Sequence, residues 1–153
     1  MMQKDNRTIA FVCTGNTCRS PMAEAIFNDM AEKNGVCVRA ESFGIATSTG
    51  LPVSENSVIA CKEIGIDLSG KASTAVADAG IEKYEKFYCM SQSHAKMLMQ
   101  FFLVQPEKIA VLGISDPYGG DIEVYRHCRD EIVNSVKEIL KAVSYTHLRA
   151  HET

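Results

Sequence analysis

In Thr8-Ile9-Ala10-Phe11-Val12-Cys13-Thr14-Gly15-Asn16-Thr17-Cys18-Arg19-Ser20-Pro21 a short apolar run gives way to a turn and then to the start of a helix. The run 8–13 has the length and the unbroken apolar character of a strand buried on both faces. Thr14 to Thr17 are turn formers, Ser20 reads as a helix N-cap, Pro21 fits the first helical position, and Glu24 falls in the first turn. Ala23, Ile26, Phe27 and Met30 then repeat at helical spacing, and Asn34-Gly35 marks the end of that helix.

Further along, strands are expected at 36–43, 86–90 and 108–112, and helices at 54–64, 93–102 and 122–143. Ile132, Val136, Ile139, Leu140 and Val143 supply the buried side of the last helix. Strands alternating with helices predict one three-layer α/β domain over 1–143, a parallel sheet with helices on both faces. Residues 144–153 show no clear continuation of the helical pattern and read as a disordered end or a cloning remnant, outside the functional argument.

Composition narrows the classes. The chain has 153 residues, 46% hydrophobic and 23% charged, within the range of a folded single domain. A net charge of −3 gives no electrostatic case for nucleic-acid binding. No apolar run approaches the roughly 20 residues needed to span a membrane. The polar start, 1–7, does not resemble a signal peptide, so a cytosolic location is expected. The scattered cysteines Cys13, Cys18, Cys37, Cys61, Cys89 and Cys128 are then expected to be reduced, with Cys37, Cys61 and Cys128 as small core or half-buried residues.

A strand–loop–helix junction can turn successive backbone N–H groups into one concavity, to which the helix N-terminus adds partial positive charge. That is a site for a phosphate-like dianion. Arg19 adds a planar, permanently charged fork able to grip two phosphate oxygens. Cys13, at the loop entrance, lies where this field favours the thiolate, the form that attacks phosphorus. Ser20 can donate a hydrogen bond to that thiolate, cap the helix, or do both. Asp116, in Ile114-Ser115-Asp116-Pro117-Tyr118-Gly119-Gly120, should sit on a loop at the carboxyl ends of the strands, beside the Cys13 loop. There it can protonate a leaving group and later activate water. Alone, each residue has a simpler reading: a core cysteine, a surface arginine, an Asp-Pro turn.

Together these two segments closely resemble the low-molecular-weight protein phosphatase family, which includes protein-tyrosine and protein-arginine phosphatases. The resemblance runs from about Ile9 through the last helix. It implies a four-stranded parallel sheet with a phosphate-binding loop after the first strand, and hydrolysis of phosphorylated protein side chains through a phospho-cysteine. It implies Cys13 as nucleophile, Arg19 as phosphate ligand and Asp116 as general acid and then base. Thr14, Gly15, Asn16, Thr17, Cys18 and Ser20 become the substrate-binding loop, Tyr118 a substrate contact, and Asn16 and Ser42 loop supports. Cys18 matches the cysteine that in relatives can trap Cys13 as a reversible disulfide. No metal or organic cofactor is implied. Thr17 and the single aromatic of Tyr118-Gly119-Gly120 resemble the arginine-directed pattern, with phosphotyrosine as the alternative substrate. Family members commonly carry a histidine where this sequence reads Ser69-Gly70-Lys71, bracing the loop asparagine; Gly70 cannot take that part.

Other readings are weaker. Arsenate reductases share the fold and loop, but they relay a disulfide through closely spaced cysteines, and 90–100 offers Cys89 no partner. A non-catalytic phosphoprotein-binding module would need neither Cys13 nor Asp116. The stretch 65–72 matches a Walker A spacing except for Ala72, which lacks the hydroxyl that would hold Mg²⁺. His94 and His127 read as surface or helix residues without a catalytic task.

Overall fold

A computed structural model describes residues 7–152, with side chains through Ser144. Strand β1 (Thr8–Cys13) is flanked by β2 (Arg39–Gly44) and β3 (Lys86–Cys89), and β4 (Ile109–Val111) lies outside β3. All pairings are parallel: Ile9 stands opposite both Ala40 and Lys86, and Phe87 opposite Ile109. Five helices connect and cover the sheet: α1 (Arg19–Lys33), α2 (Glu55–Lys62), α3 (Val76–Ala79), α4 (Gln92–Phe101) and α5 (Ile122–Glu152).

The continuous apolar run of β1 follows from its central position. Side chains alternate across a strand, so a strand covered on both faces must be apolar at every position. Ile9, Phe11 and Cys13 face one layer, with Met22, Ile26 and Phe27 of α1 and Ile132 and Val136 of α5. Ala10 and Val12 face the other, with Phe43, Phe87, Ala95 and Leu98. Sheet order 2-1-3-4 means the chain leaves β1 towards one edge and later returns to build the other. In such sheets a crevice opens at the carboxyl end of the strand where the direction changes. Here that strand is β1, and Cys13 is its last residue.

Gly44, the last residue of β2, lies against the loop that follows β1. A Cβ there would come within 2.7 Å of the Thr14 carbonyl oxygen and 3.0 Å of Gly15. Only glycine permits this approach.

Several expected boundaries shift. β2 is Arg39–Gly44 rather than 36–43, because Val36 is used to close α1, its N–H bonding Ala31 O at 2.9 Å. Helix α1 starts at Arg19 with Cys18 at the cap position, so Ser20 is not its N-cap. α5 runs on to Glu152 instead of ending at 143, since each added residue of a formed helix gains a backbone hydrogen bond without needing an apolar face. Thr153 lies outside the described residues. Cys37 is exposed, not semi-buried, whereas Cys61 and Cys128 are buried as expected. The Walker-like stretch 65–72 follows helix α2 rather than a strand and forms a turn in which Asp67 Oδ1 accepts from the Ser69 N–H at 2.9 Å. Among the described residues no helix is long and apolar enough to cross a membrane.

Candidate active site

The loop after β1 closes around Cys13. Its thiol is buried, with Ser20 Oγ 2.8 Å away and the Asn16 backbone N–H donating to Sγ at 3.2 Å. Asn16 bends the loop: it is fully buried and has a φ of 55°, a left-handed conformation that asparagine tolerates better than most residues. Its side chain holds the turn in place, since Nδ2 donates to Ser20 Oγ at 2.7 Å and to Ser42 Oγ at 2.9 Å. Oδ1 accepts from the Thr74 N–H at 2.8 Å. Because Ser20 Oγ already accepts from Asn16, its own hydrogen is free to point at Cys13 Sγ. The hydroxyl that looked like a helix cap therefore has its hydrogen available to a thiolate at Cys13.

Behind Asn16 the chain of bonds continues towards the surface. Ser42 donates to Glu24 Oε1 at 2.6 Å, and Lys71 Nζ donates to Glu24 Oε2 at 2.9 Å. Lys71 and Ser42 both donate to Glu24, Asn16 donates to both Ser42 and Ser20, and Ser20 Oγ reaches Cys13 Sγ.

Arg19, the first residue of α1, is 5% exposed, and its guanidinium crosses towards the loop after β4. It donates to Ile114 O at 2.9 Å and lies 3.8 Å from Asp116 Oδ2. Asp116 is more than half exposed, with Oδ1 accepting from the Tyr118 N–H at 3.1 Å. Cys13, Thr14, Gly15, Asn16, Thr17, Cys18, Arg19, Asp116 and Tyr118 line a single pocket of about 250 Å³. Its contents are a buried thiol beside the Ser20 hydroxyl and the Asn16 backbone N–H, a fixed cation and a carboxylate at the rim. Such a pocket can hold a tetrahedral dianion against a sulfur nucleophile. A larger groove of about 860 Å³ lies between α1 and α5, lined by Met30, Asn34, Asn134 and Lys137 among others, and among the described residues its lining holds no thiol and no arginine.

Residues 8–148 match the family described as low molecular weight phosphotyrosine protein phosphatase. The chain belongs to that family. Among its relatives, a protein-arginine-phosphatase of Bacillus subtilis (strain 168) is 32% identical over 142 residues, covering 87% of this chain and 94% of the relative. A low molecular weight protein tyrosine phosphatase from T. tengcongensis superposes with a TM-score of 0.84 at 32% identity, over 89% of this chain and 99% of that one. A cysteine-to-serine mutant of the YwlE arginine phosphatase, solved with its active-site serine phosphorylated, superposes with a TM-score of 0.85 at 31% identity, over 90% of this chain and 95% of that one.

Within this family fold, the missing brace expected from Gly70 does not leave the loop unsupported. Gly70 sits in a left-handed turn with open space around it, and the neighbouring Lys71 reaches Glu24. Lys71→Met should leave the Glu24 carboxylate, only 17% exposed, without its cation. We expect a loss of about 1–3 kcal/mol in stability, read by denaturant unfolding; an unchanged midpoint would show that the ion pair carries nothing.

The sequence reads His94 as a surface or helix residue without a catalytic task; it does lie in α4, but it is 4% exposed and reaches the Cys13 loop. Its Nε2 is 2.9 Å from Thr14 Oγ1, and its Nδ1 accepts from the Ser91 N–H at 3.1 Å as part of the capping box of α4. Burial pushes its pKa down to about 4; the nearby Arg19 adds to the shift, and Asp116 opposes it. A local signal existed in Ser91 followed three residues later by His94, a helix-start spacing. Nothing local could reveal Thr14, 80 residues away. Tyr125 was likewise unanticipated: its hydroxyl lies 3.5 Å from the sulfur of Cys18, and both Cys13 and Cys18 are free thiols.

Proposed function

We propose that the protein is a cytosolic cysteine-dependent phosphatase acting on phosphorylated protein side chains, phosphoarginine first among them, through a phospho-Cys13 intermediate. The observation that carries this reading is the convergence of Cys13 Sγ, its Ser20 and Asn16 donors, Arg19 and Asp116 on one small pocket.

The phosphoryl dianion sits on the turned loop amides with its oxygens against Arg19. Cys13 sulfur attacks phosphorus, the S–P bond forms and the P–N bond of phosphoarginine breaks. Asp116 gives its proton to the departing guanidine nitrogen. Water then attacks phospho-Cys13 and passes a proton to Asp116, the S–P bond breaks, and inorganic phosphate leaves. Ser20 can support sulfur both as nucleophile and as leaving group, because its hydroxyl lies 2.8 Å from Sγ and can donate to a thiolate there. Transfer of this kind needs positioning and charge stabilisation more than elaborate covalent chemistry.

The preference for phosphoarginine is supported by the rim. Thr17 is small and polar and lines the pocket, where its hydroxyl suits a guanidinium better than a phenyl ring. Asp116, its carboxylate more than half exposed, can pair with the guanidinium charge. Tyr118 stands 81% exposed, one aromatic beside two glycines rather than a pair able to sandwich a ring. The relationship to the protein-arginine-phosphatase of Bacillus subtilis points the same way.

Phosphate release from phosphoarginine and phosphotyrosine peptides, measured side by side, tests the assignment. Wild-type protein should favour phosphoarginine, and Thr17→Ile should cut that preference by roughly tenfold, the scale expected for one changed pocket contact. A wild-type preference for phosphotyrosine would keep the mechanism and replace the substrate.

A further inference from the structure

We propose that His94 is a positioning residue of the phosphate pocket, holding the Thr14 hydroxyl so that its hydrogen is turned towards the bound phosphoryl group. This rests on the reading of the Cys13 loop as a phosphate site, and it adds a donor and a supporting residue from the other side of the sheet.

Hydrogen-bond direction fixes the tautomer of His94. A backbone N–H can only donate, so the Ser91 N–H at 3.1 Å requires His94 Nδ1 to be the unprotonated ring nitrogen. The ring hydrogen of the neutral imidazole must then be on Nε2. Thr14 Oγ1, 2.9 Å from Nε2, is consequently the acceptor. A hydroxyl whose oxygen accepts from one side keeps its own hydrogen for another, and among the described residues Thr14 Oγ1 has no second protein partner. Thr14 directly follows Cys13 and lines the pocket, so that hydrogen is available to a phosphoryl oxygen.

The arrangement is stable over the working pH range. The charged groups near the ring are Arg19 and Asp116; burial and Arg19 keep it neutral, with its pKa at about 4. Protonating Nδ1 would set two hydrogens against each other at the Ser91 amide. The helix supplies the other half of the geometry. His94 stands at the third position of α4, where the capping box fixes the ring, and α4 follows β3, the strand beside β1. Thr14, one residue past the end of β1, is thereby brought within reach of a helix start 80 residues away in sequence.

Two conservative replacements separate the ring's two contacts. The amide oxygen of Asn matches the position of Nδ1, so His94→Asn keeps the cap and loses Thr14. The amide nitrogen of Gln matches Nε2, so His94→Gln keeps the donor to Thr14 and weakens the cap. The experiment measures inhibition by inorganic phosphate, kcat and KM for a phosphorylated peptide, and the thermal midpoint. It compares wild type, His94→Asn, His94→Gln, Thr14→Val and the Thr14→Val/His94→Asn double variant. His94→Asn should weaken phosphate inhibition roughly tenfold, the scale of one hydrogen bond to a charged group, with little change in midpoint. His94→Gln should recover most of the inhibition while lowering the midpoint. Thr14→Val should match His94→Asn, and the double variant should be no worse than Thr14→Val, because both remove the same bond.

Equal effects of Asn and Gln, or losses that multiply in the double variant, would reduce His94 to a helix cap and overturn the proposal. So would phosphate inhibition left unchanged by Thr14→Val, which lies on the exposed side of the loop and does not threaten folding. Wild-type protein that is not inhibited by phosphate would instead overturn the pocket reading itself.

Discussion

Cys13→Ser lowers phosphate release on the order of 10⁴-fold or more, to the level of buffer alone. The substitution exchanges sulfur for oxygen in a site whose donors stay in place: Ser20 Oγ at 2.8 Å and the Asn16 N–H at 3.2 Å. Those two hydrogen bonds can hold a thiolate, an anion that cysteine forms readily near neutral pH. They cannot supply an alkoxide, since a serine hydroxyl is far harder to ionise and no base replaces the missing acidity. The fold should be intact, because the change is nearly isosteric and Cys13 packs at the end of a strand whose other contacts are unaltered. Thermal unfolding beside the phosphate-release assay separates the two effects. Turnover within a hundredfold of wild type, by a folded Cys13→Ser protein, would remove Cys13 from the mechanism.

Asp116→Asn should lower kcat by roughly 10²- to 10⁴-fold, the range over which a positioned acid–base group contributes. Asparagine retains an oxygen to accept from the Tyr118 N–H, so the turn that places the side chain survives. What is lost is the proton for the leaving group and the base for water. The two losses can be told apart by substrate. With an activated aryl phosphate, whose leaving group needs no proton, the first step should recover and the second should not. Phospho-Cys13 should then accumulate, giving a burst of released phenol equal to the enzyme present, detectable also as a mass increase of one phosphoryl group. A variant with full kcat on both substrates would mean that Asp116 is only a turn former beside Arg19. Removing its charge also relieves the partner 3.8 Å from the Arg19 guanidinium, so KM should change far less than kcat.

The parts of the site legible in the sequence are those that depend on near neighbours. Cys13, Asn16, Arg19 and Ser20 fall within eight consecutive positions, and the strand–turn–helix pattern around them forces their backbone into one loop. Asp116 was reachable because its loop follows a strand of the same parallel sheet, and such loops open at one end. Ser42 was reached only through family resemblance; its hydroxyl accepts from Asn16 Nδ2 at 2.9 Å. The mistaken boundary at Ser20 has the same origin as the success: a serine before a proline at a helix start is read as a cap. Here the buried thiol and the Asn16 amide claim its hydroxyl first.

From sequence alone came the alternation of strands and helices, the buried character of β1, and the placement of a thiol and a guanidinium at a phosphate-sized turn. Local propensity, turn chemistry and side-chain period act over a few residues, and these features need no more than that. Which side chains stand behind the loop was decided by the tertiary structure. Lys71 meets Glu24 across 47 positions, and His94 meets Thr14 across 80. Neither lysine nor histidine carries any local mark of its partner. The His94 contact exists because a sheet ordered 2-1-3-4 sets the start of α4, which follows β3, beside the end of β1. The segment carrying Lys71 runs past the end of β2, where Thr74 O accepts from the Gly44 N–H at 2.9 Å, and no window of a few residues contains either pairing.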